Sequence, residues 1–408
     1  MRLVRLTLQN FRGFESLDLD FHPELTVLVG VNGSGKTSIL DAIAVMLSGL
    51  RQKLLAFTAG DDRNGSEGLT VELSIEHQGA AAKNRYSPAV RLRHESFEPD
   101  RGWRQLADDG QGFTAPIPVI AYYRVTRYAL DSTPGSTKPG TWEIKQAWDR
   151  ALEPDDTSFA AFFQWFRERE DVENEERRDA PEFRDRQLEA VRRAIESLVP
   201  GAANPRVRRP RFQQGGSGPK LDHPVIAVTK DGQELAFEQL SEGERTMAAM
   251  VGDIARRLAI ANPDGDPLAG DGVVLIDEID LHLHPEWQAK AIPALRRTFP
   301  KVQLVVTTHS PIVLAHVPRE CVRLLEDFKV YTPPAHTKGR DANSLLVELF
   351  GMPVWPEESR KQIEKVANLI DEENLDEARA ELARLSEMIG EQDAEVTRLR
   401  SFIDALDA

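Results

Sequence analysis

The sequence lacks most of the features that mark secreted, membrane-spanning or cysteine-rich proteins. Its 408 residues include a single cysteine, Cys321, which excludes an internal disulfide framework and a zinc site built from several cysteines. It contains no run of about 18 apolar residues, so it predicts no transmembrane helix. The first residues, MRLVRLTLQNFRGF, lack the apolar core of a signal peptide. Together these absences predict a cytoplasmic protein with no membrane partner.

Acidic residues outnumber basic ones, but unevenly along the chain. The formal net charge of −15 argues against a protein that coats nucleic acid indiscriminately. Residues 357–408 contain 15 acidic and 7 basic residues, whereas residues 184–220 contain 9 basic and 3 acidic ones. The acidic segment is either a docking surface for a partner or a packed terminal cap. The basic segment is either a nucleic-acid contact or an ion-paired loop.

Short apolar strands alternate with helical patterns in the parts of the chain that flank a long charged segment. The strands include ELTVLVG (24–30), VVLID (273–277) and VQLVVTT (302–308). Such alternation is typical of a parallel sheet with helices packed on it. The sequence therefore predicts an α/β fold whose mixed or parallel sheet core is flanked by helices, with a helical lobe inserted and a helical tail at the end.

A glycine-rich stretch, GVNGSGKTS, occupies residues 30–38 between the first of these strands and a helical pattern. It matches the phosphate-binding loop, in which glycines allow backbone N–H groups to surround phosphate oxygens. Lys36 is expected to reach the β and γ phosphates, and Thr37 to bind Mg²⁺. The stretch predicts that ATP and Mg²⁺ are the cofactors.

The ends of the next two apolar strands carry the remaining candidate catalytic residues. VVLIDEID places Asp277 where a ligand of Mg²⁺ belongs and Glu278 where a base could polarise the attacking water. His309 ends the following strand, where a histidine can hydrogen-bond the γ phosphate. We therefore predict Glu278 and His309 as catalytic residues, and Thr37 and Asp277 as Mg²⁺ ligands.

The order of these motifs, with LSEGE (240–244) between the first and second, resembles that of ABC-type ATPases in the AAA group. The start LTLQNFRGFESLDLDF narrows the resemblance to the RecF and SMC branch. The resemblance implies that Ser241, Gly243 and Glu244 contact the nucleotide bound by a second copy of the protein. A capped helix start, Ser241 with Glu244, explains the same residues locally. The resemblance also implies these nucleotide-binding residues in the same copy: Arg12, Asn32, Gly33, Ser34, Gly35, Lys36, Thr37 and Ser38.

The loop before the helical lobe departs from the family pattern, because AYYRVTR (121–127) contains no glutamine. Tyr123, Arg124 and Arg127 are the candidates to replace that contact. The resemblance further implies four segments. They are the first part of the ATPase head (1–130), the helical lobe with its basic loop (131–222), the second part of the head (223–326) and an acidic helical segment (327–408).

Longer runs, such as FFQWFREREDVENEERR (162–178) and DANSLLVELFG (341–351), resemble the ATPases of bacterial antiphage defence, namely PtuA of Septu and of retron-associated systems. That resemblance implies an ATPase whose ATP binding and hydrolysis control a homodimer or higher homo-oligomer. It also implies a separate HNH nuclease partner similar to PtuB. Only 99 residues follow His309, without clustered carboxylates at strand ends, so we expect no nuclease activity in the chain itself.

The alternative is a DNA-repair ATPase that clamps DNA in the manner of RecF. Its support is the basic segment 184–220, which would contact the phosphate backbone. The basic side chains concerned are Arg192, Arg193, Arg206, Arg208, Arg209, Arg211 and Lys220.

Overall fold

The structure is a computed structural model. It describes residues 1–51, 61, 63, 68–88, 95–99, 116–126, 142–153, 159–209 and 224–407. Contacts divide the chain into two compact units, residues 1–342 and 343–408. Within the described residues, none of the helices is long and apolar enough to cross a bilayer.

The secondary structure alternates between strands and helices through the first unit and is helical in the second. The described strands are β1 (Arg2–Phe11), β2 (Phe14–Asp20), β3 (Leu25–Gly30), β4 (Thr70–His77), β5 (Ala80–Pro88), β6 (Glu95–Pro99), β7 (Val119–Tyr123), β8 (Ala202–Arg208), β9 (Val225–Lys230), β10 (Gln233–Ala236), β11 (Gly272–Ile276), β12 (Val302–Thr308), β13 (Val322–Glu326) and β14 (Lys329–Tyr331). The described helices are α1 (Lys36–Ser48), α2 (Ala160–Asp179), α3 (Arg186–Leu198), α4 (Glu242–Ala261), α5 (Pro285–Thr298), α6 (Pro311–Leu314), α7 (Ala342–Phe350), α8 (Glu357–Asp371), α9 (Leu375–Ile389) and α10 (Ala394–Leu406).

The core sheet has the strand order β14-β13-β3-β12-β11-β7, and only the β13–β14 pair is antiparallel. The residues of β3, β7, β11 and β12 are buried throughout, as expected for apolar strands covered on both faces. Val29 pairs with Thr308, and Ile276 pairs with both Val306 and Tyr123. The carboxyl ends of four parallel strands therefore meet at one edge, where α/β proteins bind their ligands. The predicted α/β fold with a mixed sheet core is confirmed.

An antiparallel sheet of order β2-β1-β4-β5-β6 contains the start of the chain. Strand β1 buries Leu3, Leu6, Leu8 and Phe11, while most of the residues between them are exposed or half-buried, the pattern of a sheet with one covered face. The buried Gln303 side chain of β12 accepts from the Leu3 N–H at 2.6 Å and donates to the Leu3 carbonyl at 3.0 Å. Because both groups of this amide are satisfied by β1, Gln303 fixes the antiparallel sheet onto the core sheet.

The helical lobe predicted for residues 131–222 contains α2 and α3 and then strand β8. Strand β8 pairs antiparallel with β9 in a three-stranded sheet of order β10-β9-β8, so the basic segment 184–220 includes helix α3 and a strand of this sheet. Helix α3 starts at Asp185, whose side chain accepts from the Leu188 N–H at 2.8 Å as an N-cap. The lobe therefore combines two helices with a sheet contributed partly by the second half of the head.

The second unit, residues 343–408, has a core of its own. Helices α8, α9 and α10 bury a cluster that includes Val366, Leu382, Leu385 and Leu399. The sequence predicted a helical tail in this part of the chain. The first unit extends to residue 342, and β14 is part of its core sheet through pairing with β13. The predicted segment boundary lies earlier, at residues 326 and 327.

Candidate nucleotide-binding site

The phosphate loop runs from the end of β3 into the first turn of α1. Gly33 and Gly35 have φ angles of 81° and 98°, in the left-handed region that favours glycine. A Cβ on Gly35 would lie 2.4 Å from Cζ of the buried Phe14, so a side chain at this position would collide with the sheet beneath. The loop backbone can therefore curl around an anion at the N-terminus of α1, as the sequence predicted.

The Lys36 ammonium group lies inside this loop. It donates to the carbonyl oxygens of Gly30 at 2.9 Å and Val31 at 3.0 Å. Burial lowers the pKa of Lys36, although the charges of Asp277 and Glu278 act in the opposite direction. A buried cation held among phosphate-loop carbonyls and facing two carboxylates suits the binding of terminal phosphates.

Asp277 follows β11 and is bonded to two hydroxyl groups from other elements. Thr37 of the phosphate loop donates to one carboxylate oxygen at 2.8 Å, and Thr307 of β12 donates to the other at 2.6 Å. The structure thus brings together the two predicted Mg²⁺ ligands, which are separated by 240 residues in sequence. A hydroxyl and a carboxylate are oxygen donors of the kind Mg²⁺ prefers, so this pair fits the ion.

Glu278 has a φ of 49°, an uncommon conformation for a residue with a side chain. Its N–H donates to the Thr307 hydroxyl at 2.7 Å. Thr308, the next residue of β12, donates to Asp280 at 2.5 Å. The backbone turn that carries the predicted base is therefore held by two consecutive threonines. Strained backbone held by its surroundings is found preferentially at functional sites.

His309 is half-buried and directly follows β12, near the turn that contains Glu278 and Asp280. Burial and the charge of Lys36 both lower its pKa, while Asp280 and Glu278 oppose the shift. The imidazole is therefore neutral at pH 7 and can either donate or accept a hydrogen bond. Lys36, Asp277, Glu278 and His309, all predicted to contact the nucleotide or its metal ion, lie close enough for their charges to interact.

Arg12 lies in the turn between β1 and β2, and its guanidinium group reaches the first turns of α1. It donates to Asp41 at 2.8 Å, to Ser38 at 3.3 Å and to Asp61 at 2.7 Å. The two carboxylates raise the pKa of Arg12 even though burial opposes the shift. Arg12 is thus fixed beside the last residue of the phosphate loop, where the resemblance places it.

The candidates for the missing glutamine contact lie in different places. Arg124 donates to Asp41 at 2.5 Å, so it joins the Arg12 cluster beside the phosphate loop. The Tyr123 hydroxyl instead donates to Asp253 of α4 at 2.8 Å and is buried there. Arg127 lies outside the described residues. Of the described candidates, Arg124 is therefore the one that lies near the phosphate loop.

The LSEGE residues predicted to contact the second copy's nucleotide, Ser241, Gly243 and Glu244, form the start of α4. The Ser241 hydroxyl accepts from the Glu244 N–H at 3.3 Å, and the Glu244 carboxylate accepts from the Ser241 N–H at 3.2 Å. Glu244 also pairs with Lys230. A Cβ on Gly243 would lie 2.5 Å from the carbonyl oxygen of His282, so the helix start packs directly on the turn after β11. The local capping interpretation is confirmed, and Ser241 itself is exposed.

Three arginines of the basic segment form ion pairs with acids of neighbouring elements. Arg192 donates to the buried Glu173 at 2.9 Å and to the buried Glu170 at 3.2 Å. Arg209 also bonds Glu170, at 3.1 Å, and Arg206 pairs with an acid of β10 at 2.9 Å. Ion pairing therefore explains these three arginines. Two further residues of the predicted nucleic-acid surface lie outside the described residues: Arg211 and Lys220.

Three residues of the site were not identified from the sequence. Thr307 and Thr308 hold the acidic turn, and the only signal was a pair of hydroxyls at the end of an apolar strand. Asp41 binds both nearby arginines. It follows Thr37 by four residues and therefore shares its helix face, which is a signal that sequence reasoning could have used.

Comparisons with known proteins find AAA-domain models and ATPase relatives. A family model described as an AAA domain matches residues 5–197. A second, described as "AAA domain, putative AbiEii toxin, Type IV TA system", matches residues 122–315. The Retron Ec83 probable ATPase of Escherichia coli is 28% identical over 488 aligned positions, covering 99% of this chain and 87% of the relative. Septu protein PtuA of Bacillus thuringiensis is 28% identical over 339 positions, covering 81% and 78%.

The chain is a homologue of the retron ATPases and of Septu PtuA. The AAA matches imply nucleotide binding, and together with the probable-ATPase relative they support ATPase activity. Among solved structures, an SMC head bound to the C-winged helix domain of ScpA aligns with 81% of this chain and 97% of its own, at 16% identity and a TM-score of 0.48.

Proposed function

We propose that the chain is an ATPase of antiphage defence in which ATP binding joins two copies and hydrolysis separates them. The observation that carries the catalytic part is the Thr37–Asp277–Thr307 chain of hydrogen bonds, which brings a Mg²⁺-binding pair to the phosphate loop. In this proposal Thr37 and Asp277 would hold Mg²⁺, which would supply positive charge to the phosphates. Glu278 accepts a proton from the attacking water, and His309 contacts the γ phosphate.

The exposed start of α4 is the part of the site that acts on the second copy. Ser241 caps the helix, and the N–H groups of its first turn form an anion site at a helix N-terminus. In our proposal Ser241 and Gly243 bind the γ phosphate held by the partner. Glu244 stabilises the helix start, since its carboxylate accepts from the Ser241 N–H and forms an ion pair with Lys230. Gly243 packs on the turn that follows Glu278. In our proposal this contact couples binding of the partner's nucleotide to the position of that turn.

Solution mass by light scattering tests the association. Glu278→Gln should bind Mg·ATP without hydrolysing it, and its mass should double on addition of Mg·ATP. Ser241→Asp in the same background keeps a good helix cap but places a negative charge against the γ phosphate, so it should stay monomeric. Ser241→Asn is the matched control, because it caps equally well without the charge. A mass that never responds to Mg·ATP in the Glu278→Gln protein would contradict the proposal.

We also propose that the ATP-bound state restrains a separate HNH nuclease, as the resemblance to PtuA of Septu implies. The support is the kinship with Septu and retron ATPases, together with an acidic helical unit that has its own core. Co-expression with a PtuB-like nuclease should give a complex in which nuclease activity rises when ATP is removed. A nuclease that is equally active with and without Mg·ATP in the isolated complex would contradict this regulation.

A further inference from the structure

The turn between β13 and β14 has a backbone conformation that normally requires glycine. Glu326 pairs with Lys329, so only Asp327 and Phe328 form the turn, and their φ angles are 47° and 58°. Two-residue hairpins with positive φ at both positions strongly favour Asn or Asp followed by Gly. A phenylalanine in the second position is a genuine conformational outlier. Such strain is characteristic of functional positions held by their surroundings.

The Phe328 ring lies between the phosphate loop and the turn that carries Arg12. A Cβ built on Gly13 would lie 2.0 Å from Phe328 Cε1, so the ring rests directly on that glycine. The ring also packs edge-to-face on the buried Phe14, with centroids 5.3 Å apart and planes at 85°. A Cβ on Gly35 of the phosphate loop would be 3.4 Å from Phe328 Cδ1. Yet 36% of the Phe328 surface remains open to solvent.

Any nucleotide whose phosphates occupy the phosphate loop must place its base within the length of one ribose from that loop. Phe328 offers partly exposed apolar surface next to Gly35 and Gly13, at the edge of the phosphate loop. A base offers a flat apolar face, and stacking of a base on an aromatic ring is favourable. Arg12, which bonds Ser38 at the end of the loop, is next to Gly13 beneath the same ring.

We propose that Phe328 is the stacking residue for the purine base of the bound nucleotide. This assignment rests on the proposed nucleotide binding at the phosphate loop. It explains why the hairpin keeps a bulky residue where glycine would relieve the backbone. It also makes the hairpin after β13 part of the nucleotide site, although it lies outside every motif found in the sequence.

Calorimetric binding of ADP, CDP and inorganic pyrophosphate to the full chain tests the assignment, because none of these requires hydrolysis or a second copy. The wild type should bind ADP more tightly than CDP, since a purine has the larger stacking face. Phe328→Leu, which keeps apolar packing on Phe14, should bind ADP about tenfold more weakly, an effect typical of a lost base–aromatic stack. Its affinity for pyrophosphate should be unchanged, and Phe328→Trp should bind ADP at least as tightly as the wild type.

Tyr331→Leu is the matched control, since Tyr331 is an exposed aromatic residue in the same hairpin. It should leave all three affinities unchanged. An ADP affinity of Phe328→Leu equal to that of the wild type would overturn the stacking role. An equal loss of pyrophosphate affinity would overturn it too, by showing that the ring only supports the loop. A wild type that binds none of the three probes would instead overturn the nucleotide site itself.

Discussion

Two buried aspartates, Asp253 in α4 and Asp277 after β11, lie in the same unit and are similarly inaccessible, at 5% and 2% exposure. Asp253 accepts hydrogen bonds from the guanidinium groups of Arg256 and Arg257, at 2.7 Å each, and from the Tyr123 hydroxyl. At Asp277 the donors are the hydroxyls of two threonines, at 2.8 and 2.6 Å. The first carboxylate forms ion pairs with two arginines of α4. The second accepts hydrogen bonds from two hydroxyls and lies near the charge of Lys36.

The difference separates a structural carboxylate from one arranged for a ligand. Burial alone raises the pKa of Asp253, but the charges of Arg257 and Arg256 outweigh it and hold the pKa below its ordinary range. Arg257 also donates to the carbonyl of Ala147 at 2.8 Å, so the cluster joins α4 to the segment after β7. Asp277 is oriented beside Lys36, whose ammonium group faces the same position. Changes at the two sites should therefore affect different properties.

The largest effect should come from Glu278→Gln, next to Asp277. Loss of the proposed base should lower the rate of ATP hydrolysis about 100- to 10,000-fold. The free energy of unfolding should change by less than about 0.5 kcal/mol, since no core packing is lost. A phosphate-release assay and chemical denaturation measure the two quantities. A comparable loss in both would remove the distinction between the two carboxylates.

Asp253→Asn should instead lower the free energy of unfolding more than it lowers the rate of ATP hydrolysis. It leaves two buried guanidinium groups without their counter-charge, and breaking a buried ion pair costs about 3–5 kcal/mol. We expect a loss of this order in chemical denaturation. Asp20→Asn, at an exposed carboxylate, is the control and should cost less than about 1 kcal/mol. A small effect of Asp253→Asn would show that water reaches the cluster and that it is not a structural centre.

The pH dependence of stability should follow the same carboxylate. Because the pKa of Asp253 is lower in the folded state than its ordinary value of 3.8, the unfolded state binds its proton first as pH falls. The stability that Asp253 contributes is present above pH 3.8 and is lost progressively below it. Denaturation between pH 6 and pH 3 should show a shallower acid loss in Asp253→Asn, whose amide does not titrate. Identical slopes for both proteins would argue against a lowered pKa.

The smallest effect should come from the exposed pair of Arg206 with Glu234. Its side chains are 49% and 31% exposed, so solvent screens the interaction and Arg206→Ala should cost less than about 1 kcal/mol. Affinity for double-stranded DNA at physiological salt should also be unchanged, because this arginine already has a partner. Steeply salt-dependent, ATP-dependent DNA binding that is lost in Arg206→Ala would favour the DNA-clamp alternative.

The sequence predicted the motifs of the site because short patterns of glycine, lysine and strand-end acids report a local geometry. Because the carboxyl ends of parallel strands lie at one edge of a sheet, Gly30, Asp277 and His309 were expected to lie close together. Partners that meet only through the fold were not predicted. Tyr123 reaches Asp253 across 130 residues, whereas the sequence had offered Tyr123 only as a candidate for the missing glutamine contact.

Three other features were hidden for the same reason. The basic composition of residues 184–220 left a nucleic-acid contact and an ion-paired loop open, and it did not show that buried acids of α2 pair with Arg192. Strand β14, which joins the core sheet, has three residues and is too short to register as a strand pattern. The role of Phe328 required its φ angle and its distance from Gly13, which no sequence pattern gives.

The most direct test of the account is the rate of ATP hydrolysis of Asp277→Asn in saturating Mg²⁺, beside the wild type. We predict that the wild type hydrolyses ATP. The rate of hydrolysis of the Asp277→Asn variant should be lower by about 100-fold or more, because Mg²⁺ would lose a charged ligand. Its free energy of unfolding should match the wild type, in contrast to Asp253→Asn. Wild-type turnover in the Asp277→Asn protein would contradict the claim that this carboxylate is built to hold Mg·ATP.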